Sequence, residues 1–479
     1  MAVTYTKLFI DGKWVSGTAG KTFPVINPAT EEKITEVAEA DDDDVDVAYT
    51  AANKAFSAWR DFSAWERINR CLKLAELIEE NIDRLAQLDC ISMGMPINLC
   101  RTLIHRGIEE IKYTAGLTHD ITGETSINTP GFLSFTLRQP LGACAAIIPW
   151  NVPAFMWIHK VIPCVVAGNT IVLKSSEKSP LSALLLAHLS HEAGFPPGVI
   201  NVISGFGKTG AALASHHGFR RISFTGSTAA GKAVLEAAAK SNMKRVSVEC
   251  GGKHPAIIFH DADIKDAAKS TAVNLQLNSG QACVANSRIY VQTGIYSQFI
   301  EEFIKIFTNV KMGSPLDPTT TFGPLVDKKQ FDHVLRLIDE AKESGANPIT
   351  GGGRATELGY FVQPTIFTDI PKGANLLRTE VFGPVAAIVQ FETEEEVIAL
   401  ANDSEYGLSA SVYTRDVSRG IRIAKAVEAG TIGINAASHE NAYNMPFGGW
   451  KQSGIGREKG KSGLEEWYEI KAVNIKHTV

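Results

Sequence analysis

Short apolar runs alternate with helical stretches along most of this chain. Between about Gly142 and Glu249, the runs that favour strands are Ala143–Pro149, Thr170–Lys174, Val199–Ser204, Arg221–Thr225 and Arg245–Val248. Patterns of helical period separate them at Ser182–Ala193, Thr209–His216 and Ala229–Lys240. Alternation of this length predicts a parallel sheet that is covered by helices on both faces.

A second alternating stretch extends from Pro255 to about Pro446 and predicts another α/β domain. Its predicted strands and helices are Ala256–Phe259, Arg288–Val291, Val385–Phe391 and Thr431–Asn435, with Tyr296–Asn309 and Lys328–Ser344. Glu124–Pro140 favours a hairpin that projects from the first domain, and Glu469–Lys476 favours a further strand. These two segments can pair in an intersubunit sheet, although a plain edge strand is nearly as well supported.

The acidic run Asp41–Asp44 precedes a helical pattern from Val45 to Trp59. Its carboxylates suit the positive end of a helix and can cap it. A metal site is the weaker interpretation, because the spaced ligands of a calcium loop are missing.

Composition excludes several classes of protein. The 479 residues suffice for two or three domains, and 44% hydrophobic with 21% charged residues is ordinary for a globular protein. A net charge of −5 gives no basic surface for nucleic acid or anionic membranes. Prolines and polar residues interrupt the longest apolar region, 143–168, so no bilayer-spanning run is expected.

The seven cysteines have no paired spacing, which favours a reducing compartment over a disulfide framework. The first residues lack the layout of a secretory signal, so a cytoplasmic enzyme is the expectation. The histidine pairs His188/His191 and His216/His217 lack further ligands, and we expect no metal site.

Cys283 and Glu249 carry the clearest chemical signal. Cys283 ends the segment Asn278–Cys283, which is rich in small and amide residues, and Glu249 closes a predicted strand before Gly251 and Gly252. A thiol beside a carboxylate provides the nucleophile and base of a covalent mechanism. The alternative for a free cysteine is a small buried hydrophobe, and this is the better interpretation of the other six, Cys71, Cys90, Cys100, Cys144, Cys164 and Cys250.

Polar residues and glycines follow several predicted strands, where parallel sheets bind ligands. Asn151 lies between Pro149 and Pro153, so its amide is restrained and suits an oxyanion donor. If Asn151 is considered alone, an asparagine that completes a turn is the favoured interpretation. Glu177 can accept hydrogen bonds from a ribose and repel a 2′-phosphate. If Glu177 is considered alone, an ordinary surface charge is an equally well supported interpretation. The glycine turn at 226–231 suits an anion at a helix start but is weak evidence by itself.

Six motifs together resemble the signatures of the aldehyde dehydrogenase superfamily, in its order and across nearly the whole chain. They are Pro149–Pro153, Phe224–Thr228, Glu249–Lys253, Gly280–Cys283, Glu380–Pro384 and Pro446–Lys451. The resemblance implies the NAD(P)-dependent, hydrolytic branch. It implies an α/β fold with a Rossmann-type parallel-sheet cofactor domain at 1–123 and 141–250, a second α/β catalytic domain at 251–448, and a small β oligomerisation element at 124–140 and 463–479.

The resemblance also implies roles by position. Cys283 is the nucleophile, Glu249 the general base and Asn151 the oxyanion donor, while Lys160 and Glu458 match positions linked to proton relay. The NAD-binding set is Ile147, Ile148, Pro149, Trp150, Lys174, Ser176, Glu177, Gly207, Phe224, Gly226, Ser227, Gly251, Glu380 and Phe382. The expected substrate pocket is Val152, Met156, His159, Leu277, Ala282, Val284 and Phe447, with Glu440 a further polar candidate.

The implied reaction oxidises an aldehyde to the carboxylic acid and reduces NAD through a Cys283 thioester that Glu249 helps to hydrolyse. A homodimer or homotetramer is expected. Cys250 and His254 depart from the family pattern on either side of the Gly-Gly pair, which leaves the proton affinity of Glu249 open. A thiol hydrolase and a binding protein that only retains the fold are the competing classes.

Overall fold

The computed structural model describes residues 3–437 and 442–477. In chain order the described strands are β1 (Leu8–Ile10), β2 (Lys13–Val15), β3 (Thr22–Ile26), β4 (Lys33–Ala38), β5 (Thr125–Ser126), β6 (Phe132–Pro140), β7 (Ala143–Ile147), β8 (Thr170–Ser175), β9 (Ile200–Ser204), β10 (Arg221–Thr225), β11 (Arg245–Glu249), β12 (Pro255–Ile258), β13 (Arg288–Gln292), β14 (Asn347–Thr350), β15 (Thr365–Thr368), β16 (Val385–Phe391), β17 (Tyr406–Gly407), β18 (Ser409–Tyr413), β19 (Thr431–Ile434), β20 (Trp450–Lys451), β21 (Gly454–Ile455) and β22 (Tyr468–Lys476).

The described α-helices are α1 (Asp42–Trp59), α2 (Ala64–Glu80), α3 (Ile82–Met93), α4 (Ile97–Gly116), α5 (Pro153–Val166), α6 (Leu181–Glu192), α7 (Gly207–Ser215), α8 (Thr228–Ser241), α9 (Ile264–Gln276), α10 (Tyr296–Phe307), α11 (Lys328–Glu343), α12 (Glu394–Asn402), α13 (Val417–Ala426) and α14 (Gly460–Glu465). None of the helices in the described part of the chain is long and apolar enough to span a membrane.

The first sheet has the strand order β2-β1-β9-β8-β7-β10-β11-β21. Its strands from β9 to β11 are parallel, and antiparallel strands cover both edges. Alternate residues of β7 enter different cores: Ala145 and Ile147 pack with one cluster, and Cys144 and Ala146 pack with the other. Both faces are therefore buried, which confirms the predicted parallel sheet with helices on each side.

The second sheet has the order β14-β15-β16-β13-β12-β18-β19 and is parallel except at β14. Ala256 and Ile258 of β12 pack on one face, and Ile257 packs on the other. The predicted second α/β unit is confirmed. The pattern missed β18, which lies between β12 and the edge strand β19, because its sequence Ser-Ala-Ser-Val-Tyr is too small and polar to stand out.

A third, antiparallel sheet consists of β22, β6 and β5. The hairpin of β5 and β6 and the C-terminal strand are confirmed as elements. β22 pairs with β6 of the same chain, from Tyr468 opposite Pro140 to Lys476 opposite Phe132. The pairing between these two segments is therefore intramolecular. The domain boundaries drawn from the resemblance stay a prediction.

The acidic run caps α1 as predicted. The Asp41 side chain accepts a hydrogen bond from the Asp44 backbone N–H, and the Asp44 side chain accepts one from the Asp41 N–H. This reciprocal pair satisfies two of the free N–H groups at the helix start.

Gly280 lies where two segments of the second α/β unit approach each other. Its φ is +77°, and a Cβ atom at this position would lie 2.2 Å from the carbonyl oxygen of Gly383. The segment before Cys283 therefore packs on the segment after Glu380 only because residue 280 has no side chain.

We expect Gly280→Ala to separate these segments. The strain at positive φ and the clash with backbone should lower the melting temperature by at least about 2 °C. A displaced Cys283 should lower kcat by about a hundredfold. Gly294→Ala is the matched control, because a Cβ there meets nothing within 4 Å. Calorimetry and steady-state rates measure both effects, and equal behaviour of the two variants would contradict the expectation.

Candidate functional site

The register of the first sheet brings the predicted site residues to one edge. Ile147 at the end of β7 is opposite Lys174 of β8 and Phe224 of β10. Thr225 of β10 is opposite Glu249, the last residue of β11. Since parallel strands end together, the segments that follow them line one cleft.

The nucleophile candidate follows a tight turn. Residues Asn278, Ser279 and Gly280 have φ values of +48°, +56° and +77°, within the short 3-10 turn at Leu277–Gly280. Successive residues in this left-handed region are rare outside glycine and usually accompany functional sites. The turn ends α9 and directs the chain towards Cys283, which is half-buried.

Side-chain amides hold this turn and connect it to Asn151. Gln281 donates through Nε2 to the Asn278 carbonyl at 3.0 Å and accepts from the Val326 N–H at 2.9 Å. Asn151 Nδ2 donates to the Gln281 carbonyl at 3.1 Å, and Asn278 Nδ2 donates to the Asn151 carbonyl at 3.0 Å. One N–H of the Asn151 amide is thus anchored two residues before Cys283, which restrains the amide close to the thiol.

Glu249 is buried, with 2% of its surface exposed. Neither carboxylate oxygen makes a well-formed hydrogen bond within the described part of the chain. Burial raises the pKa of Glu249 well above its ordinary value, and the charge of Glu458 adds to this, while Lys160, Arg457 and the Gly449 N–H oppose it. A carboxylate with raised proton affinity and free lone pairs suits a general base near neutral pH.

The Cys283 thiol lies among negative charges. Burial raises its pKa to about 12, and the charges of Glu380, Glu249 and Glu458 contribute. The thiol is therefore protonated in this state of the molecule, and forming the thiolate requires a positive charge nearby or transfer of the proton to a base.

Glu380 and Phe382 lie beside the turn after β11. The Gly252 N–H donates to Glu380 Oε1 at 2.9 Å, and a Cβ at Gly251 would lie 2.0 Å from Glu380 Oε2. Burial raises the pKa of Glu380 to about 7. Phe382 meets Trp150 edge-to-face, with ring centroids 5.3 Å apart.

Lys174 lies at the end of β8 with an almost completely buried ammonium group. Its Nζ donates to the Ser175 carbonyl at 3.0 Å, and its side chain runs along Gly210. Burial lowers the pKa of Lys174 to about 8, against the effect of the Glu177 charge. Ser176 Oγ donates to Glu177, which is half-buried at the cleft edge.

Two helix starts face the same edge. Gly207 opens α7, and a Cβ there would meet nothing within 4 Å. Ser227 caps α8 by accepting from the Ala230 N–H at 3.3 Å and is exposed. Gly226 donates its N–H to the Glu249 carbonyl at 3.0 Å, which joins this turn to the end of β11.

The remaining predicted positions differ in exposure. Ile147, Ile148, Phe224 and Met156 are buried, while Pro149, Val152, Leu277, Ala282, Val284 and Phe447 are half-buried. Glu440 lies outside the described residues. The roles assigned to all these residues stay predictions, because burial alone does not identify what they contact during a reaction.

The predicted relay residues Lys160 and Glu458 form a buried ion pair. His159 donates from Nε2 to Glu458 Oε2 at 2.8 Å and from Nδ1 to Glu110 Oε1 at 2.6 Å. Both ring nitrogens are therefore occupied, which leaves His159 without a free nitrogen for a substrate. Sequence reasoning missed Glu110, although a charge on the otherwise apolar face of α4 with Ile111 was a usable signal.

His254 and Cys250, the two departures from the family pattern, lie next to the candidate site. His254 Nδ1 accepts from the Ser409 N–H at 3.3 Å, so Nε2 carries the proton and donates to the Cys283 carbonyl. Burial lowers the pKa of His254 to about 4, so the ring is neutral and acts as a fixed donor. Cys250 is buried beneath the α8 turn, and its N–H donates to the Ser453 carbonyl at 2.8 Å.

Comparison with known proteins supplies relatives for the whole chain. The aldehyde dehydrogenase family model matches residues 14–473. An aldehyde dehydrogenase of Emericella nidulans is 46% identical over 98% of this chain and 95% of its own length. Retinal dehydrogenase 2 of Mus musculus is 43% identical over 99% of this chain and 93% of its own length.

A solved structure supports the same relationship. The NAD+ complex of the Bacillus cereus aldehyde dehydrogenase is 42% identical, with a TM-score of 0.97 over 99% of this chain and 97% of that chain. The family model, the relatives and the shared architecture all cover nearly the full sequence, and the chain therefore belongs to the aldehyde dehydrogenase family.

Proposed function

We propose that this protein oxidises an aldehyde to the carboxylic acid with reduction of NAD, with Cys283 as the nucleophile. The observation that carries the proposal is the placement of a half-buried thiol beside the anchored amide of Asn151 and the buried carboxylate of Glu249. Nucleophile, oxyanion donor and base are the groups that covalent acyl chemistry requires. Aldehyde oxidation to the acid is the reaction of the family.

The residues of the cleft fit a dinucleotide without a 2′-phosphate. The Lys174 ammonium has three N–H donors, and one of them is directed at the Ser175 carbonyl, so others can serve ribose hydroxyls. Glu177 beside it accepts from a ribose and repels a 2′-phosphate. The open space at Gly207 and the exposed start of α8 at Ser227 accommodate a diphosphate at helix N-termini.

In the first half-reaction the sulfur of Cys283 attacks the aldehyde carbon. The thiol first loses its proton to solvent water, the resulting thiolate forms the C–S bond, and the carbonyl π electrons move to oxygen. The Asn151 amide and the Cys283 N–H then hold that oxyanion. A nicotinamide held by the cofactor residues would supply the acceptor for the hydride that leaves the tetrahedral carbon when the oxyanion collapses. A thioester on Cys283 would then remain.

In the second half-reaction Glu249 deprotonates a water molecule that attacks the thioester carbon. The new O–C bond forms, the C–S bond breaks, and its electron pair returns to the Cys283 sulfur. Because the pKa of Glu249 is raised, its basic form accumulates only above the ordinary carboxyl range. Deacylation should accordingly accelerate as the pH rises through that elevated value.

The half-buried pocket positions Val152 and Ala282 carry small side chains, which favours room beside the nucleophile for a branched or aromatic aldehyde. Relatives of similar identity carry different names, such as retinal dehydrogenase 2. The aldehyde is therefore best identified by ranking kcat/KM over aliphatic, aromatic and amino aldehydes.

A thiol hydrolase is the competing function for the same cysteine. It would need no ribose-binding acid, and it commonly takes a histidine as the base. His254 is the histidine next to Cys283, but its Nε2–H is committed to the Cys283 carbonyl and its pKa is low. Formation of NADH, compared with ester hydrolysis in the absence of cofactor, separates the two functions.

We also propose a cytoplasmic homo-oligomer, either a dimer or a tetramer. All seven cysteines are free thiols, as expected in a reducing compartment. The sheet of β5, β6 and β22 carries exposed apolar side chains, among them Leu137, Ile470 and Ile475. Such a surface suits association with a second copy.

Glu249→Gln tests the order of events. With the base removed, acylation should persist and release about one NADH per active site, while steady turnover falls by about a hundredfold or more. Stopped-flow absorbance measures the burst and the following rate. Cys283→Ala is the companion variant and should lose both phases. Undiminished turnover in Glu249→Gln would remove this residue from the mechanism.

Glu177→Ser should relax discrimination against the phosphorylated cofactor, because the repulsion between two negative groups is lost. The ratio of kcat/KM for NAD over NADP should fall by at least about fivefold. Glu192→Ser removes a carboxylate from the exposed end of α6 and serves as the control. A ratio that is equal in both variants would place the determinant elsewhere.

Ile470→Lys tests the exposed sheet as an assembly surface. The side chain is 62% exposed in the single chain, so the substitution should leave the protomer folded and shift the mass towards smaller species. Light scattering after gel filtration measures this mass. An unchanged mass for both Ile470→Lys and Ile475→Lys would move the interface to another face.

A further inference from the structure

Four alternating charges form a buried ion chain behind Glu249: Glu110, His159, Glu458 and Lys160. The His159 nitrogens lie 2.6 Å from Glu110 Oε1 and 2.8 Å from Glu458 Oε2. The other oxygen of Glu458 pairs with Lys160, whose Nζ also donates to Ser223 Oγ at 3.0 Å. With two carboxylates and two cations the buried ion chain is neutral when all four are ionised.

Each member lies away from solvent. Side-chain exposure is 6% for Glu110, 4% for His159, 10% for Glu458 and 1% for Lys160. Burial disfavours the His159 cation, but Glu110 and Glu458 outweigh it and raise the pKa of His159 to about 9. Burial likewise acts against the Glu458 anion, yet Lys160 and His159 hold the pKa of Glu458 well below its usual range.

The buried ion chain is attached to the segment that packs on Glu249. The Glu458 and Phe447 backbones exchange two hydrogen bonds of 2.7 Å. The next residue, Gly448, touches the base, since a Cβ there would lie 2.9 Å from Glu249 Oε1. The charge of Glu458 therefore acts on Glu249 over a short and fixed path through the protein interior.

Other charged groups lie close to Glu249 and to the buried ion chain. Arg457 acts on Glu249 from the segment beside Glu458. Arg106 of α4 and Lys459 lie near Glu110 at the far end. These cations stay in place in the variants described below, so they shift all pH profiles by a common amount.

We propose that Glu110 and His159 are positioning residues for deacylation: they hold Glu458 ionised and fixed, and through its charge they set how readily Glu249 takes a proton from water. This inference rests on the proposed thioester mechanism. Deacylation breaks a water O–H bond and changes Glu249 from an anion to a neutral acid. A negative Glu458 favours that change, and the cations of His159 and Lys160 moderate it.

Removing the charge of Glu110 and removing that of His159 should shift the pH dependence of deacylation in opposite directions. Glu110→Gln removes a negative charge from the buried ion chain and so lowers the proton affinity of Glu249. The pH at which deacylation accelerates should therefore fall. His159→Gln makes the buried ion chain more negative and moves that acceleration to higher pH. Each displacement should be roughly one pH unit, or about a tenfold change in rate on the slope. The double variant restores neutrality and should return close to the original profile.

The measurement follows loss of the acyl group from Cys283 by intact mass at a series of pH values, after mixing enzyme with stoichiometric NAD and aldehyde. The NADH burst counts competent sites in each variant. The absence of both NADH and an acyl adduct on Cys283, in the unaltered protein and in Glu249→Gln, would refute the thioester mechanism itself. A retained burst with profiles that do not move, or that move in the same direction, would overturn the positioning role.

A purely structural role makes a different prediction. It would lower the melting temperature of both variants and leave their pH profiles unchanged, which counts against the proposal. His188→Gln is the matched control, because His188 pairs with Glu192 at 3.3 Å on the surface of α6 and has no contact with the buried ion chain. Its profile should coincide with that of the unaltered protein.

Discussion

The site depends on a reciprocal pair of hydrogen bonds between two segments that are far apart in sequence. Asn151 donates to the Gln281 carbonyl, and Asn278 donates to the Asn151 carbonyl. The first segment follows β7 of one sheet, and the second follows α9 beside the other sheet. A buried amide that lost either partner would leave unpaired polar groups, so the two segments are held in one arrangement. Asn151, the proposed oxyanion donor, and Cys283 consequently share a single rigid frame.

The charged groups around this frame give its two buried carboxylates, Glu249 and Glu458, different proton affinities. Glu249 and Glu458 are both buried, but Glu458 has two cationic partners and Glu249 has none in hydrogen-bond contact among the described residues. Their pKa values move in opposite directions for that reason. When the pKa values of two carboxylates are shifted in opposite directions, one can stay ionised as a fixed charge while the other accepts and releases a proton. In the proposed mechanism the proton acceptor is Glu249.

The histidines show how far local context decides a role. His254 lies between a backbone donor and a backbone acceptor, so burial keeps it neutral and it orients the Cys283 peptide. His159 lies between two carboxylates, so it is a cation inside the protein. The same side chain thus supplies a neutral hydrogen bond in one place and a buried charge in another, according to its partners.

The sequence was sufficient for the class of architecture, with two mostly parallel sheets covered by helices. Periodicity located β10 and β16 at their observed bounds, because apolar runs between helical patterns are local properties of the chain. It also pointed to Cys283, Glu249 and Asn151 through their neighbours and positions after strands. The strand β18 escaped because its small polar residues are buried by the surrounding sheet, which no local pattern reveals.

Tertiary structure alone decided the partnerships. The contact of Glu110 with His159 joins α4 to α5 across 49 positions, and that of Glu458 with Lys160 spans 298 positions. The charge of such a residue depends on which opposite charges share its buried surroundings, and that is determined by packing. The sequence therefore determined which chemical groups the protein carries near its strand ends. Only the folded chain decided their protonation, because proton affinity depends on neighbours that are distant along the chain.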